Sequence, residues 1–254
     1  MTIRFSELRS PQVGDAAKQG ALLVLPLGQT EEHGPHLPVG TDALIAERVC
    51  AEAVQKLGGK PPAYMLDTIC YGYSQQALKA WPGTIIVPQA TLIETLKHVL
   101  VSLADMGFRK IAVVSLHGNH DGVARVVARE VADERAVGPG LFFPASCVAD
   151  LLKEKGKAGA AGSCHAGEFE TSLMLHLAPE LVDMSAAPQG DRLKAPPAFP
   201  SSQAFISTWT LQKSRSGVYG DPTVATAELG KLLLEKMVAE TVRFLRHYHG
   251  AEQI

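Results

Sequence analysis

Within the twelve residues 31–42 the chain places three carboxylates and two histidines: Glu31, Glu32, His33, His36 and Asp42. Gly34, Pro35 and Pro38 interrupt this stretch, so it reads as a shaped loop rather than a regular element. A second cluster, Ser115-Leu116-His117-Gly118-Asn119-His120-Asp121, sets a histidine before a glycine that lets other groups approach closely. A third is Cys164-His165-Ala166-Gly167-Glu168-Phe169-Glu170. Imidazoles and carboxylates without thiolates suit zinc, manganese or iron. Each residue also has a plainer reading. Asp42 can serve as a first-turn helix acid, Glu31 and His33 as a solvated loop, and His117 as a hydrogen-bonded core histidine. Glu170 can pair with Arg215, and His165 can hydrogen-bond at a helix N-terminus. The density of potential ligands, and their placement after two strands, favour a metal site.

The elements that must position these clusters alternate between strand and helix. Residues 21–27 (ALLVLPL) form a short apolar run ending in Gly28, the pattern of a buried strand. Residues 41–57 follow as an amphipathic helix. Strands are expected at 64–70, 83–87, 110–116 and 140–148, and helices at 92–106, 120–136 and 167–177. A long final helix at 222–247 is expected to be capped by Asp221, with Pro222 at its first position. Residues 156–163 form a loop of small residues, and 188–200 are Pro-rich and irregular. Strands alternating with helices imply an α/β fold with a largely parallel sheet covered on both faces. Ligands in such folds bind at the carboxyl ends of strands, which is where the first two clusters fall. On the helix at 167–177, Glu170 lies at about 100° from Phe169, inside the apolar arc, while Glu168 lies near 260° on the far side. Glu170 is therefore expected to point inward, where a carboxylate needs a partner or a metal.

With 254 residues, 46% of them hydrophobic and 20% charged, the chain can build a substantial core. A net charge of −2 and the lack of a basic run argue against nucleic acid as a partner. No window suits a membrane span, and the N-terminus MTIRFSELRS lacks the apolar region of a signal peptide. A cytoplasmic protein is expected. Cys50, Cys70 and Cys147 read as small buried hydrophobes, with no disulfide frame.

GQTEEHGPHLPVGTD, SLHGNHDG and HAGEFETSLMLHLAPELVDM together resemble the creatininase (creatinine amidohydrolase) family, which includes formamide-pyrimidine deformylases and the mycofactocin precursor peptidase. WPGTIIV and GVYGDPTVATAELG extend the resemblance over roughly residues 5–245. It implies a three-layer α/β/α creatininase-like fold with a central, largely parallel or mixed sheet, as one domain over 1–254. It implies two divalent metal ions per chain (Zn, Mn or Fe). Glu31, Asp42 and His117 would hold one, and His33 and the bridging Asp42 the other. Creatininase supplies a further Glu at the position of Asn119; here Glu170 is the expected replacement. His120 departs from the Asn common at its position and becomes a candidate ligand or substrate contact.

By the same resemblance the activity is hydrolysis of a small linear or cyclic amide by metal-activated water, with His165 as the catalytic proton shuttle and Glu170 beside it. Tyr73, Ser74 and Gln75, with Tyr71, lie in the family's substrate-side loop. Creatininase packs tryptophans against its flat substrate where this chain has the small residues 156–163. Only Trp81 and Trp209 occur here, which points away from creatinine itself. Two other readings stand beside this one: a peptidase acting on a modified peptide, and a metal-free small-molecule binder of the same fold. A small-molecule amide partner and a homo-oligomer, up to a hexamer, are further implications of the family.

Overall fold

A computed structural model describes residues 3–159, 163–191 and 213–251. Trp209, residues 160–162 of the small-residue loop and residues 192–200 of the Pro-rich stretch lie outside the described residues. The order is α1 (Ser10–Lys18), β1 (Leu22–Leu27), α2 (Thr41–Leu57), β2 (Ala63–Met65), α3 (Gln89–Asp105), β3 (Lys110–Ser115), α4 (Asp121–Arg135), β4 (Gly140–Phe142), α5 (Ala149–Lys155), α6 (Glu168–Leu177) and α7 (Ala227–Gly250). Short 3-10 turns join several of them.

The sheet order is β2-β1-β3-β4, with every strand pair parallel. β1 and β3 are buried on both faces because alternate side chains point to opposite sides of a strand. Leu22, Val24, Ala112 and Val114 join α2, α6 and α7 in one core. Leu23, Leu25, Ile111 and Val113 join α3 and α4 in the other, with Ala16 of α1. This is the expected α/β/α arrangement. Among the described residues, no helix is long and apolar enough to cross a membrane.

Several boundaries differ from expectation. Residues 83–87 form no strand; only an isolated Gly72–Ile86 bridge remains. The strand expected over 64–70 ends at Met65, with a further bridge from Leu27 to Ile69. Residues 144–148 turn into a 3-10 helix at Pro144 instead of extending β4. Asp221 caps a separate 3-10 turn by accepting from the Thr223 N–H. The long helix is capped by Thr226, which accepts from the Leu229 N–H. Of the cysteines read as buried, Cys50 is, while Cys70 and Cys147 are half-buried; all four are free.

α6 is held against α7 at Gly230. A Cβ there would fall on the Ser172 carbonyl oxygen of α6, so the two backbones meet with no room for a side chain. The Thr226 N–H also donates to the Ser172 hydroxyl at 3.2 Å. Gly230→Ala must push α6 and α7 apart. We expect a net loss of about 1–3 kcal/mol, as for overpacked cores. A denaturation midpoint equal to that of the parent would show that the crossing adapts freely.

Candidate metal centre

Leu27 of β1 pairs with Ser115 of β3, and the Leu116 N–H donates to the Leu27 carbonyl at 3.1 Å. The loops after the two strands therefore emerge side by side. Gly28 brings α2 to the same place: a Cβ there would lie 2.5 Å from Ala43 Cα. The α2 N-cap is Gly40, without side-chain capping. Asp42 thus does not cap the helix; its carboxylate is buried and turned into the site.

The two oxygens of Asp42 face two different imidazoles. Oδ2 lies 3.0 Å from His117 Nδ1, and Oδ1 lies 3.5 Å from His33 Nε2. Glu31 Oε1 lies 3.6 Å from His117 Nδ1, and Glu170 Oε2 lies 3.7 Å from His33 Nε2. Two donor groups result, Glu31–Asp42–His117 and His33–Asp42–Glu170, sharing Asp42. Ligands about 2.0–2.2 Å from an ion stand about 3–3.7 Å from each other, so these separations fit the coordination shells of two cations. His33 Nδ1 donates to the Glu31 carbonyl at 3.0 Å, which leaves Nε2 to face the acids. That nitrogen is buried with no hydrogen-bond partner among the described residues. An orphaned imidazole nitrogen aimed between two carboxylates fits a metal.

The charges hold one another. Burial would lower the His117 pKa, but Glu31 and Asp42 outweigh it and raise it to about 9. Burial is likewise overcome at His33, where Asp42, Glu170 and Glu31 push the pKa well up. Asp42 is held below the usual carboxylate range; burial opposes this, but His33 and His117 prevail. Glu170 is raised by burial and by Asp42, against the pull of His33. A metal would displace the imidazole protons and satisfy the same acids.

Glu170 points into the site and receives the Ala166 N–H at 2.6 Å. Arg215 forms no ion pair with Glu170; its backbone N–H donates to Asp191. Glu168, expected on the outer face, is also buried. It accepts from the Lys157 and Ala158 N–H groups at 2.8 and 2.9 Å, because the loop after α5 folds over it. Ala166 is left-handed, with φ 53°, a conformation that costs an L-residue about 1–2 kcal/mol. This turn aims His165 back at the loop after β1. His165 Nδ1 lies 3.4 Å from Glu31 Oε1, and its Nε2 donates to Glu32 Oε1 at 3.3 Å. Burial and His33 depress His165, yet the bond to Glu32 and the charges of Glu31 and Glu170 leave its pKa raised. A third donor group, Glu31–His33–His165, overlaps the other two.

Among the substrate-side candidates, the Ser74 hydroxyl donates to Glu31, and Gln75 Nε2 donates to Asn119 Oδ1 at 3.1 Å. Tyr73 packs against the α3–α4 core. His120 is buried edge-on to His117, with ring centroids 4.5 Å apart. Its pKa is lowered to about 3 by burial and by His117. It lies against Gly72, where a Cβ would come within 2.5 Å of Nε2. Glu32 was not singled out from the sequence. Its buried carboxylate receives the Gly34 N–H at 2.9 Å and holds His165. Its only signal in the sequence was its place between two candidate ligands.

The protein-family comparison matches residues 6–245 to Creatininase, described as creatinine amidohydrolase. The chain belongs to the creatininase family. This creatininase-family chain is 32% identical over 243 residues to the mycofactocin precursor peptide peptidase of Mycobacterium tuberculosis, covering 93% of this chain and 89% of that one. It is 29% identical over 235 residues to the creatinine amidohydrolase of Pseudomonas putida, covering 85% of each. A solved creatininase in its manganese form shares the fold, with a TM-score of 0.82 at 24% identity over 99% of this chain and 100% of that one.

Because Glu170 lies on α6, away from the strand-end loops, it tests the second donor group by itself. Glu170→Gln keeps the shape and removes the charge. We expect one of two ions to bind about 10–100-fold more weakly while the other is unchanged. Titration with Mn2+ or Zn2+ checks this, and full occupancy at parental affinity would remove Glu170 from the ligands.

Proposed function

We propose that this creatininase-family chain is a metal-dependent amidohydrolase that cleaves a C–N bond of a small linear or cyclic amide with two divalent ions. The observation that carries this reading is Asp42, whose two oxygens are divided between His117 and His33. Glu31 and His117 would hold one ion and His33 and Glu170 the other, with Asp42 common to both. When bound, the ions would lower the pKa of a water and polarise the substrate carbonyl.

The remaining steps belong to side chains. His165 stands beside Glu31 and would carry a proton to the departing nitrogen. Glu32 accepts from its Nε2 and fixes the ring. Ser74 holds Glu31 in place from the substrate side. A second reading keeps the same centre but cleaves a peptide amide. It is supported by the 32% identity to a peptide peptidase over 93% of this chain.

Metal analysis of the purified chain, followed by a screen of small amides and peptides, tests both readings. We expect near two ions per chain and a hydrolysis that chelation stops and Mn2+ or Zn2+ restores. Turnover confined to peptides selects the second reading. A chain that binds neither ion, and retains any ligand binding without them, is a non-catalytic binder.

A further inference from the structure

The loop after β1 meets α6 at two neighbouring contacts. His33 Nε2 faces Glu170 Oε2 at 3.7 Å. Three residues along the loop, His36 Nε2 lies 3.0 Å from the Thr171 hydroxyl. Gly34, left-handed at φ 68°, turns the loop between the two histidines. The His36 and Thr171 side chains are buried. The Thr171 hydroxyl donates to the Ala166 carbonyl at 3.4 Å, so it accepts from His36 Nε2–H. The Ala166 N–H in turn donates to Glu170 Oε2 at 2.6 Å. The backbone of His36 is fixed as well, because its carbonyl accepts from the Asp183 N–H at 3.0 Å. A run of hydrogen bonds therefore leads from the loop that carries His33, through Ala166, to the carboxylate of Glu170.

We infer that His36 and Thr171 are positioning residues that hold the loop and α6 together, and so keep His33 and Glu170 at the spacing of the second ion. The inference rests on the two-ion reading above. Asp42 Oδ1 also faces His33 Nε2, at 3.5 Å, so two buried carboxylates converge on one nitrogen. Like charges at such a place push apart, and α6 needs a tie to the loop that does not depend on the ion. The His36–Thr171 bond is such a tie. It joins positions 135 apart in the chain, and burial shields it from competing water, which strengthens it. An ion that meets its ligands already assembled has less chain to order. The Glu31–Asp42–His117 group takes no residue from α6, so loss of the tie should be felt by one ion only. A tie that merely stabilised the fold would affect both ions alike or neither.

Titration of the full chain with Zn2+ or Mn2+ against a chromophoric chelator tests this. Thr171→Val keeps the shape and removes the hydroxyl. It should weaken one ion about 10–100-fold, the range for losing a group that orients metal ligands, and leave the other unchanged. Thr171→Ser, which restores the hydroxyl, should bind both ions nearly as the parent does. His36→Phe keeps a ring without its N–H and should weaken the same ion, which keeps the test decisive if Thr171→Val does not fold. Adding Glu170→Gln to Thr171→Val should still leave the other ion at parental affinity. Parental binding of both ions in Thr171→Val and His36→Phe overturns the inference. Equal weakening of both ions overturns it too, as does a Thr171→Ser chain as weak as Thr171→Val. A parent chain that binds neither ion overturns the two-ion reading itself, a result distinct from all of these.

Discussion

Asp42→Ala is expected to lose both ions and all measurable turnover together. Asp42 is the one side chain shared by the Glu31–Asp42–His117 and His33–Asp42–Glu170 groups. Its removal would leave each ion with only one imidazole and one glutamate from those groups, where a divalent ion normally holds at least three protein ligands. The substitution also strips the buried imidazoles of their common counter-charge. His117 and His33 are held protonated largely by the acids around them, so without Asp42 their pKa values should fall as burial takes over. Metal content per chain and amide hydrolysis, measured on the same preparation, check the expectation. Turnover retained within tenfold of the parent would contradict a bridging role. Loss of only one ion would assign Asp42 to a single site.

The second large effect is expected at His165, and it should divide metal binding from catalysis. His165→Ala should lower kcat by about 10²–10⁴, the usual contribution of a positioned general acid or base, with both ions retained. The reason is geometric. Its Nε2 is committed to Glu32 and its Nδ1 faces Glu31, so its polar contacts are with the two glutamates and not with Asp42. The substitution removes a proton carrier and leaves Asp42 facing His33 and His117. Metal analysis and steady-state kinetics on one sample decide it. If an ion is lost along with activity, His165 is a ligand, as the overlapping Glu31–His33–His165 group would allow.

Much of the scaffold was legible because it depends on local patterns. The apolar runs before Gly28 and His117 became β1 and β3, and the three-and-four spacing after Gly40 became α2 with the expected bounds. The runs that failed lacked a neighbour or met a competing turn signal. Residues 83–87 are as β-branched as a strand needs, but only Ile86 finds a bridging partner. Pro144 ended β4 early, since proline lacks the N–H that a strand interior must donate. At the C-terminus two capping patterns lie five residues apart, Asp221 before Pro222 and Thr226 before Ala227. Asp221 capped a brief turn and Thr226 the helix.

At the site, residue types and loop order alone marked Glu31, His33, Asp42 and His117 as candidates, and helical spacing turned Glu170 inward. Spacing along one helix cannot register a loop arriving from elsewhere, which is why Glu168 was placed outside although residues 157 and 158 cover it. Nor could it reveal Glu32 beneath His165, or the amides of Asn119 and Gln75 behind His117. The Gln75–Asn119 and Glu32–His165 contacts join residues 44 and 133 positions apart, and the parallel register of β1 with β3 is what aligns the loops after them. The chemical inventory was thus written in the order of residues, because ligand types and turn formers act locally. Which oxygen faces which nitrogen was decided by the packing of strands and helices, because it depends on distances that no local pattern encodes.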